Sequence, residues 1–277
     1  MTALPVGSCD THIHVYDSRY PSSPRATLFP PDASGDDYRA VQRTIGTDRV
    51  VLVQPSTYGL DNTCQIDAAR SFGESARLVV VVDEHTPTDE LERLTSLGAR
   101  GARFHMLPGG AVDWASLRPV ADRIAPLGWH IQLQMDGNRL GDHLDTLLGL
   151  PVPLVVDHVG RFMPPPPAES DAVDTLVRLL DTGRCWVKLS APYESTDEDG
   201  PDHPRVSAIA RRLVRHAPER MLWATNWPHP GRSDPPTPAD LMALLDAWVP
   251  SDTLRRAVLV DNPATLYGFE PVTPTSP

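Results

Sequence analysis

Arg49-Val50-Val51-Leu52-Val53-Gln54 is a short apolar run. It is followed by a stretch of helical character at Cys64–Phe72 and then by Arg77-Leu78-Val79-Val80-Val81-Val82-Asp83, a second run rich in valine. Strand, helix, strand is the reading, and the unit recurs on both sides. Runs of the same kind occur at Cys9–Val15, Gly101–Phe104, His130–Met135, Leu154–His158, Trp186–Ser190 and Met221–Thr225, which makes eight. Helical stretches lie between and after them at Asp36–Ile45, Asp89–Leu97, Trp114–Ile124, Leu140–Leu148, Ala172–Leu180, Val206–His216 and Ala239–Trp248. Strands separated by single helices pair in parallel. Eight such units in about 250 residues are the size of a (β/α)8 TIM barrel. A doubly wound sheet is the alternative, but it usually carries a glycine-rich turn after its first strand, and Val15-Tyr16-Asp17-Ser18 is not one. No linker divides the chain. The expectation is one α/β barrel domain over residues 1–270 and a frayed tail over 271–277. Long loops at Tyr16–Ser34 and Pro192–Pro204 follow the first and seventh strands, on the face where such barrels carry their chemistry.

Composition narrows the function. The 277 residues are 40% hydrophobic and 22% charged, a globular balance. The 30 prolines are scattered mostly between the apolar runs, where they stiffen loops. A net charge of −11 argues against nucleic-acid binding but not against an anionic substrate held by a few arginines. Three cysteines are too few for a disulfide framework. The first seven residues have no basic or apolar leader segment, and no apolar run reaches the roughly 20 residues of a membrane helix. The expectation is a cytoplasmic protein with a small-molecule partner. Nothing in the sequence specifies an oligomeric state.

Several strand ends carry groups capable of chemistry. His12 and His14 are two apart on the first strand and share a face, where two imidazoles can hold a metal or polarise a carbonyl. The same pair serves equally well as two buried, hydrogen-bonded histidines. His158 ends the sixth strand, and Gly160 lets the chain turn so that Arg161 can face the site. Of Arg100 and Arg103, an odd number apart, at most one points inward from a regular strand. Arg103 is nearer the carboxyl end and suits a carboxylate. Its mundane role would be a salt bridge. Ser56 and Gln134 offer hydrogen bonds at strand ends, and Ser56 has no nucleophile-elbow sequence around it. Lys188 reads more readily as solvated or ion-paired than as a buried amine. Tyr193, Asn226 and His229 follow the seventh and eighth strands, beside Trp223 and Trp227; Tyr193 and His229 are candidates to bind substrate, and Asn226 is a candidate catalytic group.

Taken together these segments resemble the amidohydrolase superfamily, in the branch of 2-pyrone-4,6-dicarboxylate lactonase and the sugar-acid lactone hydrolases and isomerases. The motifs are Asp10-Thr11-His12-Ile13-His14, Val53-Gln54-Pro55-Ser56, Arg103-Phe104, Asp157-His158-Val159-Gly160-Arg161, Val187–Tyr193, Thr225-Asn226-Trp227-Pro228-His229-Pro230 and Asp261–Phe269. They span nearly the whole chain in the family's order. The resemblance implies a (β/α)8 barrel. It implies that His12, His14 and His158 surround a lactone carbonyl, and that Ser56, Arg103 and Arg161 bind substrate oxygens.

The departures shape the expectation. Pyrone lactonases have an aspartate as general base where this chain has Asn226, and an amide cannot take a proton near neutral pH. Positions of further carboxylate-binding arginines read as Gly109 and Glu194, which argues against pyrone dicarboxylate as the substrate. Metal-dependent members use the eighth-strand aspartate and a fifth-strand histidine as ligands. This chain offers Asn226 and Gln134, so no cofactor is expected. If zinc were present, His12, His14 and His158 would hold it. Two chemistries fit: hydrolysis of a small carboxylated lactone with a histidine as base, placed first because hydrolysis is the commoner activity of the superfamily, or isomerisation, in which a substrate hydroxyl attacks the lactone carbonyl. A barrel that binds a small acid without turning it over is the third reading.

Overall fold

The computed structural model describes residues 4–195 and 202–270. Eight strands, β1 (Cys9–Ile13), β2 (Arg49–Val53), β3 (Ala76–Val80), β4 (Ala99–His105), β5 (His130–Gln134), β6 (Leu154–Val156), β7 (Cys185–Leu189) and β8 (Met221–Trp223), pair in parallel in sequence order. The sheet closes between its ends. Ile13 pairs with Trp227, His14 N–H donates to Trp227 O at 2.8 Å, and Asn226 N–H donates to His12 O at 3.0 Å. Each of the eight apolar runs read from the sequence is a strand.

Helices α1 (Gly35–Ile45), α2 (Thr63–Phe72), α3 (Thr88–Ser96), α4 (Trp114–Ile124), α5 (Leu144–Leu148), α6 (Asp171–Leu180), α7 (Pro204–His216) and α8 (Pro238–Trp248) lie outside the sheet. Capping boxes start α1 (Ser34 with Asp37) and α8 (Thr237 with Asp240), satisfying N–H groups that the first turn leaves free. α7 buries Val206, Ile209, Ala210, Leu213 and Val214, the i, i+3, i+4, i+7, i+8 stripe of a helix packed on one side. The expected helix at Leu140–Leu148 is regular only over α5, because Gly137–His143 winds as tighter 3-10 turns. No helix among the described residues is long and apolar enough to cross a membrane.

The barrel interior is layered. Alternate residues of β5 run from floor to mouth. His130 packs edge-on to Tyr267 with ring centroids 5.3 Å apart, Gln132 bonds to Lys188 and Asp157, and Gln134 bonds to Arg103. Gly101 on β4 makes room for His130, since a Cβ there would lie 2.4 Å from its Nε2. The floor comes from a segment the sequence reading did not assign, α9 (Asp252–Arg256), a π turn at Ala257–Asp261 and α10 (Asn262–Tyr267). Tyr267 and Phe269 join a buried cluster with Cys9, Val51, Val79, Trp186 and Leu222. The guanidinium groups of Arg49 and Arg77 sit 5.0 and 4.5 Å from the Phe269 ring. Lys188 was expected to be solvated or ion-paired; it is ion-paired, 3.8 Å from Asp157 Oδ1, and fully buried inside the barrel. The expected tail at 271–277 lies outside the described residues, as do residues 196–201 of the loop expected at Pro192–Pro204.

Candidate active site

A cavity of about 290 Å³ opens at the carboxyl ends of the strands. His14, Ser56, Arg103, Gln134, His158, Arg161 and Asn226 line it, with Thr27 and Leu28 contributed by the long loop after β1. Six non-glycine residues at the ends of β6, β7 and β8 adopt left-handed backbone: His158, Val159, Arg161, Ala191, Asn226 and His229. Each costs on the order of 1–3 kcal/mol, a concentration of strain that marks sites rather than scaffolds.

The histidines form a connected array. A bulge in β1 between Asp10 and Ile13 turns His12 and His14 to the interior, with their Nε2 atoms 3.2 Å apart. Two lone pairs cannot face each other at that distance, so a proton or a cation lies between them. His14 Nδ1–H donates to Val53 O at 2.7 Å, so where a proton bridges the pair it belongs to His12 Nε2. His12 Nδ1 then accepts from Lys188 Nζ or Gln132 Nε2, each 3.4 Å away. His158 sits beside them, its ring centroid 5.0 Å from that of His12 and its Nδ1 2.9 Å from Ser190 Oγ. Burial keeps all three neutral. It pushes His14 down to about 3 and His12 and His158 well below the ordinary imidazole value, with the positive charge of Arg103 adding to the effect for all three and that of Lys188 for His12 and His14.

Arg103 crosses the cavity wall. Its Nη1 donates to Gln54 O and its Nη2 to Gln134 Oε1, both at 2.6 Å, while its Nε is buried with no acceptor. Arg161 Nε donates to Glu194 Oε2 at 3.1 Å, so the guanidinium that was expected to bind substrate is also half of an ion pair. Tyr193 and His229 were expected to touch substrate. They stand behind Asn226 instead, outside the cavity lining. Tyr193 Oη lies 2.7 Å from His229 Nδ1 and accepts from Asn226 Nδ2 at 3.1 Å. That bond fixes the amide with Nδ2 turned away, and leaves Oδ1 as a buried acceptor without a partner.

Asp157 and His105 were given no role in the sequence reading, and Lys188 was read without being placed in the barrel interior. Asp157 and Lys188 are wholly buried below the histidines, with Lys188 Nζ 3.8 Å from Asp157 Oδ1 and donating to Thr11 O at 2.8 Å and Gln132 Oε1 at 2.7 Å. His105 lines the cavity with Nδ1 3.1 Å from Gln134 Oε1. It follows Arg103 by two residues, so strand parity alone would have found it.

A divalent ion fits these donors poorly. Among the described residues one group, His12, Asp157 and His158, brings its ligand atoms within 4.8 Å of one another. The Lys188 ammonium already stands 3.4 Å from one member and 3.8 Å from another. The neutral amides of Asn226 and Gln134 occupy the other facing positions, and Gln134 Oε1 is taken by Arg103 and His105.

The amidohydrolase family model matches residues 9–269, the whole barrel and its floor. This chain belongs to the amidohydrolase family. The amidohydrolase is 36% identical to D-galactarolactone isomerase of Agrobacterium fabrum, over 99% of this chain and 95% of that protein. It is 34% identical to 4-sulfomuconolactone hydrolase of Hydrogenophaga intermedia, over 96% and 90%. An apo crystal structure from Agrobacterium tumefaciens, 36% identical, superposes on this amidohydrolase with a TM-score of 0.92, covering 98% of this chain and 99% of that one.

Proposed function

We propose that this amidohydrolase opens a small carboxylated lactone at its carbonyl, without a metal ion, and that hydrolysis is its main reaction. The observation that carries the reading is the placement of neutral imidazoles and a guanidinium without a carboxylate partner around one small cavity. The substrate carboxylate rests on Arg103, with Ser56 and Gln134 beside it. The carbonyl sits beside His14, which lines the cavity with His12 hydrogen-bonded behind it. Water is held by Asn226 Oδ1. With Nδ1–H donated to Ser190, His158 presents a lone pair on Nε2. It takes one proton as water oxygen bonds to the carbonyl carbon, and returns it to the ring oxygen as the ring C–O bond breaks. The names of the relatives, a lactone hydrolase and a lactone isomerase, support this substrate class.

One observation favours isomerisation as a second reading. The eighth-strand side chain is a neutral acceptor locked in orientation by Tyr193, suited to holding a hydroxyl as well as water. A substrate hydroxyl in the water's place attacks the same carbonyl, His158 shuttles the same proton, and the ring changes size with no water consumed. Three free, buried cysteines accord with a cytoplasmic setting.

The test is incubation of chelator-treated protein with carboxylated five- and six-membered lactones in 18O water, followed by proton NMR and mass spectrometry. Label in an open acid means hydrolysis. Interconversion of ring sizes without label means isomerisation. No change in any lactone refutes both, and activity that returns only with zinc refutes the metal-free mechanism. Asn226→Asp supplies the missing base in a backbone conformation that aspartate tolerates, and is expected to raise hydrolysis on the order of 100-fold.

A further inference from the structure

The charges facing the cavity do not balance, and the imbalance describes the ligand. Arg103 and Arg161 contribute two positive charges, and Glu194 contributes one negative charge. The histidines on the wall add no charge: His14 and His105 are pushed down to about 3 by burial and by Arg103, and burial lowers His158 as well. Arg161 is spoken for on its Nε edge by Glu194 at 3.1 Å, with both side chains largely shielded, 13% and 20% exposed. Arg103 is different: its Nη1 and Nη2 bonds go to neutral oxygens of Gln54 and Gln134, and its Nε has no acceptor. One uncompensated cation remains. Two acceptors, the Glu194 carboxylate and Asn226 Oδ1, face the same space and call for hydroxyl donors.

We propose that Glu194 sets the charge class of the ligand: the cavity takes a small hydroxylated acid with a single carboxylate, seated on Arg103, and discriminates against dicarboxylates. A second carboxylate could be seated only at Arg161, where it would meet Glu194 as a like charge and compete for the same guanidinium edge. Glu194 acts here as a specificity-determining residue, not in bond breaking. The inference rests on the reading above that the cavity receives carboxylated lactones, and it is tested by binding alone, so that it does not depend on turnover.

Gluconate and glucarate are a matched pair of unreactive open acids that differ by one terminal carboxylate. Isothermal titration of the full chain at neutral pH should show gluconate binding at least ~10-fold more tightly than glucarate, the size of one partly solvated charge contact. Glu194→Gln frees Arg161 and removes the repulsion, and is expected to tighten glucarate ~10-fold relative to gluconate. Glu194→Asp keeps the charge and should restore the preference, which a merely structural role would not explain. Equal or tighter binding of glucarate by the unaltered protein overturns the proposal. So does a glucarate-to-gluconate ratio that Glu194→Gln leaves unchanged in a protein with an unaltered melting curve. Binding of neither acid overturns it too, whereas failure of the lactone assays with the binding preference intact refutes only the catalytic reading.

Discussion

Replacing Lys188 by methionine isolates the charge buried beneath the histidines. The ammonium is fully enclosed, and it compensates Asp157, whose Oδ1 has no hydrogen-bond partner while Oδ2 accepts from Gln132 Nε2 at 3.1 Å. Lys188→Met leaves that carboxylate without its buried cation and strands Thr11 O and Gln132 Oε1. Removing one partner of a buried pair costs about 3–5 kcal/mol. The stranded acceptors add about 1–3 kcal/mol, partly offset by the fit of an apolar side chain of similar length. A net loss of about 4 kcal/mol is expected, a large share of the 5–15 kcal/mol typical of a whole domain. The double variant Lys188→Met/Asp157→Asn removes both charges and should recover at least half of the loss, a coupling of about 2 kcal/mol or more. Urea unfolding followed by circular dichroism on the four proteins of the cycle measures both quantities. A Lys188→Met protein within about 1 kcal/mol of the parent, or a double variant no more stable than the single one, would refute the reasoning.

Acid should destabilise the fold from an unusually high pH. His14 and His130 are pushed down to about 3 by burial. The unfolded chain therefore binds protons below about pH 6.5 that the folded chain refuses, and stability falls as pH drops from there towards 3, with a slope approaching about 2.7 kcal/mol per pH unit for the two groups together. Urea midpoints from pH 7.5 to 4.5 check the sign; a flat profile would contradict the burial of these rings as neutral groups. Tyr193→Phe removes the hydroxyl that orients Asn226 without touching the cavity wall. A fall in kcat of about tenfold with KM nearly unchanged is expected from the loss of one such bond, and a rise in KM alone would place Tyr193 on the substrate instead.

The architecture was legible because each strand is a short apolar run bracketed by a helix with its own stripe and stop. The pairing of His12 with His14 was legible for a simpler reason, that residues two apart on a strand share a face. Parity was incomplete as a guide, because the β1 bulge decides which face the histidines share with the interior, and no sequence rule announces a bulge there. Asp157 was passed over as part of a motif and Lys188 was read as solvated or ion-paired, because a charge within an apolar run reads as a strand end; their pairing appears only when β6 and β7 lie side by side. Tyr193 and His229 were read as touching substrate because they follow strand ends. The left-handed backbone at Ala191, Asn226 and His229 accompanies a change of direction there, and left-handed conformations at residues other than glycine have no local signature. The floor was missed because the Asp261–Phe269 segment was read as a motif and not as a plug.

That plug has a consequence for how the protein is made. Tyr267 and Phe269 lie against residues from almost every strand, including Cys9 near the amino terminus, and Arg77 donates to Tyr267 O at 3.1 Å and Gly268 O at 2.9 Å. A ribosome delivers those residues after all eight strands. Until they clear the exit tunnel, the nascent barrel has an open underside with His130, Trp186 and several valines unprotected, and the Nε and Nη2 of Arg77 on β3 lack the acceptors that the plug supplies. The chain is therefore committed to waiting: the helical turns at Asn262–Tyr267 are the step that seals the vessel.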